Sequence, residues 1–260
     1  MIIPTFNEKE NIASIIDRVI GLHYGYHVLI IDDNSPDETA GIVKSLLYAY
    51  PGQLFLEERA GKLGLGTAYI HGFKWALARG YQFIFEMDAD FSHDPVDLEK
   101  LYLACLDGAD LSIGSRYVKG GAIKNWPSDR IALSKGASLY TRLITWMPVK
   151  DPTAGFVCYT RKVLESLNLD TISFIGYAFQ IEMKFAAWKM GFKIKEVPIT
   201  FIDRKLGASK MNKGIVKEGI LGVLQLRWNS LFKNYHKKVN NNISSASPAF
   251  DQQEALLESK

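Results

Sequence analysis

Short apolar runs alternate with amphipathic helical segments along the first 115 residues, and this alternation constrains the fold more than any other feature of the chain. The predicted strands cover residues 1–3, 27–31, 54–56, 83–87 and 111–113. Helical spacing fills the intervals, as in residues 11–19, whose apolar face carries Ile12, Ile15, Ile16 and Val19. Repeated strand–helix–strand units with buried strands predict an α/β protein, with a mostly parallel central sheet and helices on both faces.

The pattern is less regular after Arg116. We expect helices at 129–146, 177–190 and 213–235, and short strands at 156–160 and 193–202. Asp37 and Asp94 are placed to cap two earlier helices, with Pro95 at the first helical position of the second. Residues 240–260 are polar and poor in core formers, so we expect disorder there or, alternatively, a short partner-binding helix at 252–258.

The composition is that of a globular protein and excludes several other classes. Of 260 residues, 47% are hydrophobic and 23% are charged, and the net charge of +3 indicates no basic field for nucleic acid. Cys105 and Cys158 lack metal-ligand spacing, so we expect reduced, buried thiols in a cytosolic protein. We find no apolar stretch of about 18 residues that would span a membrane, and no signal-peptide pattern.

The motif Asp88-Ala89-Asp90 follows the apolar run 83–87, so its two carboxylates are expected where a buried strand ends. In open α/β sheets, ligands bind outside the carboxyl ends of the strands. Two carboxylates suit Mg²⁺ or Mn²⁺, which take oxygen ligands and are often shared with substrate phosphates. The motif therefore indicates a metal-held diphosphate, although such a triplet standing alone is more often a solvated loop or a helix cap.

Two polar motifs follow the first and second predicted strands, where a Rossmann-like fold holds a nucleotide. In Pro4-Thr5-Phe6-Asn7-Glu8, Phe6 is placed to flank a base and Glu8 to bind base or ribose; alone, a turn capped by Asn explains the motif better. In Asp32-Asp33-Asn34-Ser35, an acid suits a ribose hydroxyl, and a capping cluster is the alternative. Both can hold, since one carboxylate can cap while the other faces a ligand.

A glycine-rich segment, Gly61-Lys62-Leu63-Gly64-Leu65-Gly66-Thr67, precedes a predicted helix at 67–78. Such a turn at a helix N-terminus can bind phosphate. It does not match the dinucleotide fingerprint, because Tyr69 stands where the third glycine belongs, and it lacks the spacing of a P-loop. NAD and Walker-type ATP binding are therefore rejected. Loop flexibility or close packing explains these glycines better.

The ordered set of motifs resembles the family 2 glycosyltransferases, inverting enzymes with a Rossmann-like, nucleotide-sugar-binding fold of glycosyltransferase A type. Downstream motifs narrow the resemblance to the polyprenol (dolichol) phosphate mannose synthases. These motifs lie at residues 114–117, 126–130, 151–156, 176–182 and 204–211. Each is weak alone, but the ordered set, which runs from Met1 to about residue 215, is highly specific. It implies inverting transfer of mannose from GDP-mannose to a polyprenyl phosphate.

The resemblance also implies roles for individual residues. The guanosine site would be lined by Pro4, Phe6, Glu8, Ile31 and Asp33. The divalent metal and the diphosphate would be held by Asp88, Ala89 and Asp90, with Ser92 as a weak metal ligand. The lipid phosphate would be received by Arg116, Arg130 and Ser134. The nucleotide sugar would be covered by Arg204 and Lys210. The predicted catalytic residues are Asp90, Arg116 and Arg130.

The chain departs from the family pattern in two places. Phe6 stands where many relatives have Tyr, so a phenol hydrogen bond is absent. The usual lead-in to the first strand is missing, which leaves a start upstream of Met1 open. We divide the chain into a catalytic domain at 1–212, an amphipathic helix at 213–239 and a tail at 240–260.

The chemistry implied by the resemblance needs cations more than a base. A lipid monophosphate has a second pKa of about 6, so its attacking oxygen is anionic at neutral pH. Arginine brings such a dianion close to a diphosphate through planar, bidentate donors. Two alternatives remain. One is a family 2 transferase using UDP-glucose or another nucleotide sugar on a polyprenyl phosphate or a glycan. The other is an inactive nucleotide-sugar-binding scaffold.

The predicted helix at 213–235 is rich in apolar residues and in Lys and Arg, with Glu218 as its single acid. This composition is typical of an interfacial amphipathic helix near anionic lipid. A core-packing helix with a solvated basic face is an equally supported alternative. We expect a cytoplasmic protein with peripheral contact to the cytoplasmic face of a membrane. The sequence indicates no protein partner.

Overall fold

A seven-stranded sheet forms the centre of the molecule. The computed structural model describes residues 1–176, 178–204, 213–233 and 235, except for the side chains of 213–218. Its strands are β1 (Ile2–Thr5), β2 (Val28–Asp32), β3 (Leu54–Glu58), β4 (Phe83–Glu86), β5 (Leu111–Ser115), β6 (Ala122–Lys124), β7 (Val157–Thr160), β8 (Ile194–Pro198) and β9 (Thr200–Ile202). The central order is β3-β2-β1-β4-β7-β5-β8, while β6 and β9 pair in a second, two-stranded sheet.

Helices cover both faces of the central sheet, as the alternating pattern predicted. They are α1 (Ile12–Ile20), α2 (Thr39–Leu47), α3 (Leu65–Ala78), α4 (Asp97–Leu106), α5 (Ser128–Thr145), α6 (Arg161–Ser166), α7 (Ala178–Lys189) and α8 (Lys213–Asn229). Successive strand residues point to opposite faces. Ile3 and Ile30 therefore join the apolar cluster under α1, α2 and α4, whereas Ile2 and Ile31 join the cluster under α3 and α7. The predicted α/β class is confirmed.

The directions of the strands, and the sheets to which they belong, were only partly predictable from the sequence. β7 runs antiparallel to both neighbours, β4 and β5, within an otherwise parallel sheet. Short strands were predicted at 193–202, and β8 and β9 lie there but in different sheets: β8 belongs to the central sheet and β9 pairs with β6. Pro198, the last residue of β8, has no N–H to donate to a further ladder, so the chain can leave the sheet there. The short β6 and α6 were not predicted.

The two predicted capping acids bind backbone N–H groups, but the helices begin later than expected. Asp37 accepts the N–H of Thr39, the first residue of α2, at 3.1 Å. Asp94 accepts the N–H of Val96 at 3.1 Å, and α4 begins only at Asp97. The turn that Asp94 closes therefore precedes the helix.

The first, second and fourth strands each run into a tight turn that contains a non-glycine residue in the left-handed region. These residues are Asn7 (φ 57°), Asn34 (φ 57°) and Phe91 (φ 56°). This conformation is tolerated best by Asn and is strained for Phe, and such strain concentrates at functional sites. Each of these turns changes the direction of the chain at the same edge of the sheet. The three strand-end motifs therefore lie close together there.

The two cysteines are free and buried, as predicted. Their sulfur atoms lie 3.6 Å apart, with Cys105 on α4 and Cys158 on β7. Burial raises the pKa of the Cys158 thiol well above its ordinary value, so that thiol stays protonated.

Helix α8 has a buried face, as the core-packing alternative predicts, and an exposed apolar face. Val223 and Leu226 are buried in the core, and the helix packs against α5 and α7. Leu224 is 47% exposed and Trp228 is 68% exposed on the other side. No helix in the described part of the chain is long and apolar enough to cross a membrane. The exposed face leaves the interfacial hypothesis standing as a prediction.

Gly72 allows α3 to approach the sheet closely, and we expect Gly72→Ala to be destabilising. A Cβ there would lie 2.7 Å from Cγ2 of Ile2 and 3.0 Å from Cδ1 of Ile31. Overpacking of this kind costs about 1–3 kcal/mol. Urea denaturation should show the loss. The matched control is Gly136→Ala on α5, which meets nothing within 4 Å and should stabilise by about 0.5–1 kcal/mol. Equal midpoints for the two variants would contradict the packing.

Candidate active site

The carboxylate pair lies directly after β4, at the carboxyl edge of the sheet. Asp90 is 6% exposed; its Oδ1 accepts the N–H of Ser92 at 3.0 Å, and its Oδ2 lies 3.0 Å from Nη2 of Arg204. Asp88 is half-buried. Gly155 lies beside it, since a Cβ built on Gly155 would be 3.9 Å from the Oδ2 of Asp88. Both acids therefore sit where a ligand outside the strand ends would meet them.

The residues present fit a divalent cation that is shared with a ligand. Asp90 already holds a cationic group, the guanidinium of Arg204, at ordinary ion-pair distance. Within the described residues, no set of three or more His, Cys, Asp or Glu side chains could hold a metal. Mg²⁺ is commonly bound by one or two carboxylates and completed by phosphate oxygens and water. Asp88 and Asp90 supply that number of carboxylates. Ser92, the predicted weak third ligand, is 2% exposed beside them.

Charged side chains are buried beneath the carboxylate pair. Glu86, the last residue of β4, is fully buried, as is Lys184 on α7. Burial raises the pKa of Glu86 and lowers that of Lys184, and the attraction between the two opposes both shifts. The Lys184 ammonium donates to the carbonyl of Ala154 at 2.7 Å and to Oε1 of Gln180 at 3.1 Å. It thereby fixes the loop that passes Asp88. Neither residue of this pair was predicted from the sequence to have a role in the site.

His93 supports the loop after the carboxylate pair from below. Its ring is 3% exposed, stacks on Phe156 at 4.9 Å between centroids and meets Phe201 edge-on at 5.2 Å. Burial lowers the pKa of His93 to about 4, Arg116 acts in the same direction, and Asp90 opposes the shift. The imidazole is therefore neutral at pH 7 and adds no charge beneath the loop.

The two acids at the end of β2, Asp32 and Asp33, have different roles. Asp32 is structural: it accepts hydrogen bonds from the hydroxyls of Thr5 and Ser35 at 2.9 and 2.6 Å, and from the Ser35 N–H at 2.8 Å. Asp33 forms an ion pair with Arg59, whose Nε and Nη2 both lie 2.6 Å from its Oδ1. The expected division between a capping acid and a second acid at the strand end agrees with this geometry. Arg59 was not identified from the sequence.

Arg59 and Lys62 bring the glycine-rich segment to the first two strand ends. Arg59 donates from Nη1 to the Thr67 hydroxyl at 2.8 Å, at the start of α3. The Lys62 ammonium lies 4.7 Å from the centre of the Phe6 ring. Two cations thus stand beside the residues predicted to line the guanosine site. Two features of the sequence could have indicated these cations: Lys62 lies in a glycine-rich segment, and Arg59 directly follows an apolar strand.

The other residues predicted for the guanosine site are placed differently from one another. Pro4 and Glu8 are half-buried near the strand end, and the Glu8 N–H donates to Oγ1 of Thr39 at 3.0 Å. Ile31 is fully buried, with its side chain packed towards Gly72 on α3. A side-chain role for Ile31 in lining the site does not fit this packing, because the apolar side chain faces the core.

Close packing explains Gly66, in agreement with one of the two interpretations of the glycine-rich segment. A Cβ there would lie 2.7 Å from the carbonyl oxygen of Phe174, and the Gly66 N–H donates to the carbonyl of Ile175 at 2.8 Å. The segment before α7 therefore lies against the start of α3. Glu182 holds this segment by accepting the N–H groups of Ser173 and Phe174 at 2.7 and 3.0 Å.

Arg116, predicted to bind the lipid phosphate, is anchored by a buried acid. Its Nε and Nη2 form a bidentate pair with Asp151 at 2.7 and 2.6 Å, and Nη2 also donates to the Thr153 hydroxyl at 2.9 Å. The Arg116 side chain is 9% exposed and that of Asp151 is fully buried. Much of its hydrogen-bonding capacity is therefore used inside the protein.

Arg130 and Ser134 lie on α5 in a more open cluster. Arg130 donates from Nη1 to both carboxylate oxygens of Asp203, at 3.0 and 3.1 Å, and its guanidinium lies 4.0 Å from the Trp126 ring centre. The Arg130 side chain remains 26% exposed. One turn further, Ser134 accepts a hydrogen bond from the Tyr117 hydroxyl at 2.6 Å.

Two consecutive residues, Asp203 and Arg204, link the carboxylate pair with the arginine cluster. Asp203 pairs with Arg130, and Arg204 pairs with Asp90. The segment is held because the Asp203 N–H donates to the carbonyl of Lys124 at 3.1 Å. Predicted donor-side and acceptor-side residues are therefore neighbours in space. Lys210, the remaining predicted residue, lies outside the described residues, as does the tail at 240–260.

The site and the fold together define a class of ligand-binding protein. An open α/β sheet carries two carboxylates at the end of a central strand, beside polar strand ends and opposite a cluster of arginines. This arrangement suits a protein that binds a diphosphate-containing nucleotide ligand next to a second anionic group.

Comparison with known proteins identifies the family. Residues 1–167 match the family described as Glycosyl transferase family 2, and the chain belongs to it. It is 45% identical over 225 residues to the polyprenol monophosphomannose synthase of Mycolicibacterium smegmatis, covering 86% of this chain and 85% of the relative. It is 43% identical over 234 residues to the undecaprenyl-phosphate mannosyltransferase of Micrococcus luteus, covering 88% and 96%.

Solved structures share the fold at low sequence identity. Glucosyl-3-phosphoglycerate synthase from Mycobacterium tuberculosis, in complex with phosphoglyceric acid, superposes with a TM-score of 0.65 at 18% identity, over 87% of this chain and 79% of that chain. The same enzyme with Mn²⁺, UDP-glucose and phosphoglyceric acid gives a TM-score of 0.65 at 16% identity, over 87% and 78%. The predicted fold is confirmed.

The two arginine–aspartate pairs should differ in their contribution to stability. Asp151→Asn removes the counter-charge of a buried arginine and should destabilise the protein by about 3–5 kcal/mol. Asp203→Asn breaks a pair whose side chains are 26% and 27% exposed and should cost about 1 kcal/mol or less. Chemical denaturation of the two isosteric variants measures the difference. Similar losses would contradict a structural role for the Arg116–Asp151 pair.

Proposed function

We propose that this glycosyltransferase transfers mannose from GDP-mannose to a polyprenyl phosphate with inversion at the anomeric carbon. The observation that carries the proposal is the link through Asp203 and Arg204. It places the arginine cluster opposite the carboxylate pair, as a reaction between two anionic substrates requires. Relatives named as polyprenol or undecaprenyl phosphate mannosyltransferases, 43–45% identical over most of both chains, support this substrate class.

On the donor side, Asp88 and Asp90 would hold a divalent cation, Mg²⁺ or Mn²⁺, together with the diphosphate. When bound, the cation would neutralise negative charge that develops on the leaving diphosphate. The guanosine would lie against Phe6, between the strand ends that carry Glu8 and Asp33. Arg204 must exchange its partner Asp90 for the diphosphate or the sugar when the donor binds, because two cations compete for one carboxylate.

On the acceptor side, Arg130 is the most available cation of the cluster, since its side chain is one-quarter exposed. The phosphate would displace Asp203 from Arg130 and accept hydrogen bonds near Ser134. Arg116 would contribute mainly positive potential, because Asp151 already occupies two of its nitrogens. The phosphate oxygen is anionic at neutral pH and needs no general base.

The lipid acceptor requires contact with a membrane, and the exposed apolar face of α8 is the proposed contact surface. Ile220, Leu221, Leu224 and Trp228 are each about half or more exposed on this helix. Exposed apolar patches of this kind mark interaction surfaces. Flotation with liposomes tests the assignment: Trp228→Ser should weaken binding, and unchanged flotation would contradict it.

Product formation with different donors tests the function itself. The protein should form polyprenyl phosphate mannose from GDP-mannose and polyprenyl phosphate, detected by mass spectrometry, and little product from UDP-glucose. Preferred use of UDP-glucose would establish a different family 2 transferase. Binding of a nucleotide sugar without any product would establish the inactive scaffold.

Variants on the two sides should affect different kinetic constants. Asp90→Asn should remove metal-dependent binding of GDP-mannose, measured by calorimetry. Arg130→Ala should raise the acceptor KM roughly tenfold or more, since it removes a charged hydrogen-bond donor, while the affinity for GDP stays nearly unchanged. Arg161→Ala is the matched control, because its side chain is also 26% exposed and pairs with Glu165 away from the site. Equal loss of GDP affinity in Arg130→Ala would contradict its assignment to the acceptor.

A further inference from the structure

A second cationic cavity lies beside the candidate acceptor site. It has a volume of about 410 Å³ and opens between residues 116–121, the middle of α5 and Lys150. Four basic residues line it: Arg116, which is paired with Asp151, and the three further cations Lys135, Arg142 and Lys150. Tyr117 lines it as well, and the Tyr117 hydroxyl donates to Ser134 of the candidate site at 2.6 Å. Arg116 belongs to the candidate site described above, whereas Lys135, Arg142 and Lys150 do not.

The positive charge of this cavity is not neutralised from within the described structure. Lys135, Arg142 and Lys150 are exposed, and none forms an ion pair with a described residue. Glu196 accepts hydrogen bonds from the Ser115 hydroxyl at 2.7 Å and from the N–H groups of Lys150 and Asp151 at 2.8 and 2.9 Å. Asp151 is paired with Arg116. Three cations therefore converge on one cavity without a counter-ion.

A buried hydroxyl completes the lining. Ser138 is 3% exposed, lines the cavity, and its Oγ has no hydrogen-bond partner in the described structure. Buried polar groups in folded proteins are almost always hydrogen-bonded, and an exception calls for a partner such as a ligand. An anionic oxygen in the cavity would provide that partner, because a hydroxyl can donate to it.

Apolar side chains border the same cavity. Leu139 lines it, and Leu139 and Leu143 on α5 and Trp146 directly after α5 are exposed by 54%, 65% and 72%. The Arg227 guanidinium of α8 lies 4.7 Å from the Trp146 ring centre. A cationic cavity beside an exposed apolar stripe matches a phosphate that is joined to acyl chains. A soluble phosphate has no acyl chain that could contact this apolar stripe.

We propose that this cavity binds the phosphate of an anionic phospholipid. Lys135, Arg142 and Lys150 supply the charge, the Ser138 hydroxyl donates to a phosphate oxygen, and the stripe on α5 contacts the acyl region. The bound lipid holds α5 at the membrane surface next to the candidate acceptor site. This lipid is a membrane component and is distinct from the acceptor.

Vesicle binding by the full chain tests the cavity. The probes are phosphatidylcholine vesicles with and without phosphatidylglycerol, and the variants are Lys135→Ala/Arg142→Ala and Ser138→Ala. The double variant should lose roughly tenfold or more of its affinity for the anionic vesicles, from the removal of two surface cations. Ser138→Ala changes no charge and should lose several-fold. The matched control is Arg18→Ala/Lys189→Ala, which removes the same charges from exposed positions on α1 and α7.

Four results would overturn the proposal. The first is an equal loss in the double variant and its control, which would mean diffuse attraction only. The second is wild-type binding by Ser138→Ala. The third is saturation by soluble glycerol phosphate at concentrations that leave vesicles unbound. A raised acceptor KM with unchanged vesicle affinity would also overturn it, by assigning the cavity to the acceptor. Because none of the binding assays depends on turnover, the outcome is independent of the proposed mannosyl transfer.

Discussion

Charge buried beneath the carboxyl edge of the sheet is the constraint on which the rest of the site depends. Glu86, Lys184 and Asp151 are each fully buried, and Arg116 is nearly so. Buried charges are tolerated only when they are paired and hydrogen-bonded, so Lys184, Asp151 and Arg116 each hold a particular loop in place. Lys184 fixes the loop beside Asp88, and the Arg116–Asp151 pair fixes the end of β5. Through Asp203 and Arg204, the carboxylate pair and the arginine cluster are held next to each other.

The more exposed pairs above this layer can exchange partners. Arg130–Asp203 and Arg204–Asp90 are neighbouring pairs joined by one peptide bond. A ligand phosphate that takes one arginine frees an acid next to the other. Donor and acceptor binding are therefore coupled through residues 203–204 in the proposed reaction. Partly exposed pairs contribute little to stability, so their rearrangement costs little.

Much of the fold could be predicted because the apolar runs and helical spacing are local signals. The strand ends then placed Phe6, Asp33 and Asp90 at one edge of the sheet. The partners of these residues were not predictable, because Arg59, Asp151 and Asp203 are distant in sequence from the groups they bind. The antiparallel direction of β7 was missed, since a four-residue apolar run carries no direction. The burial of Glu86 and Lys184 was not predictable either. Both are charged residues inside apolar segments, where a charged residue is usually exposed to solvent.

The central claim is a single displacement by an anionic lipid phosphate, with no covalent intermediate on the enzyme. The anomeric configuration of the product tests it most directly. Mannose is α-linked to the diphosphate in GDP-mannose, so one displacement gives a β-linked polyprenyl phosphate mannose. Proton and phosphorus NMR of the isolated product measures the configuration. A β-linked product is the predicted result, and an α-linked product would contradict the account.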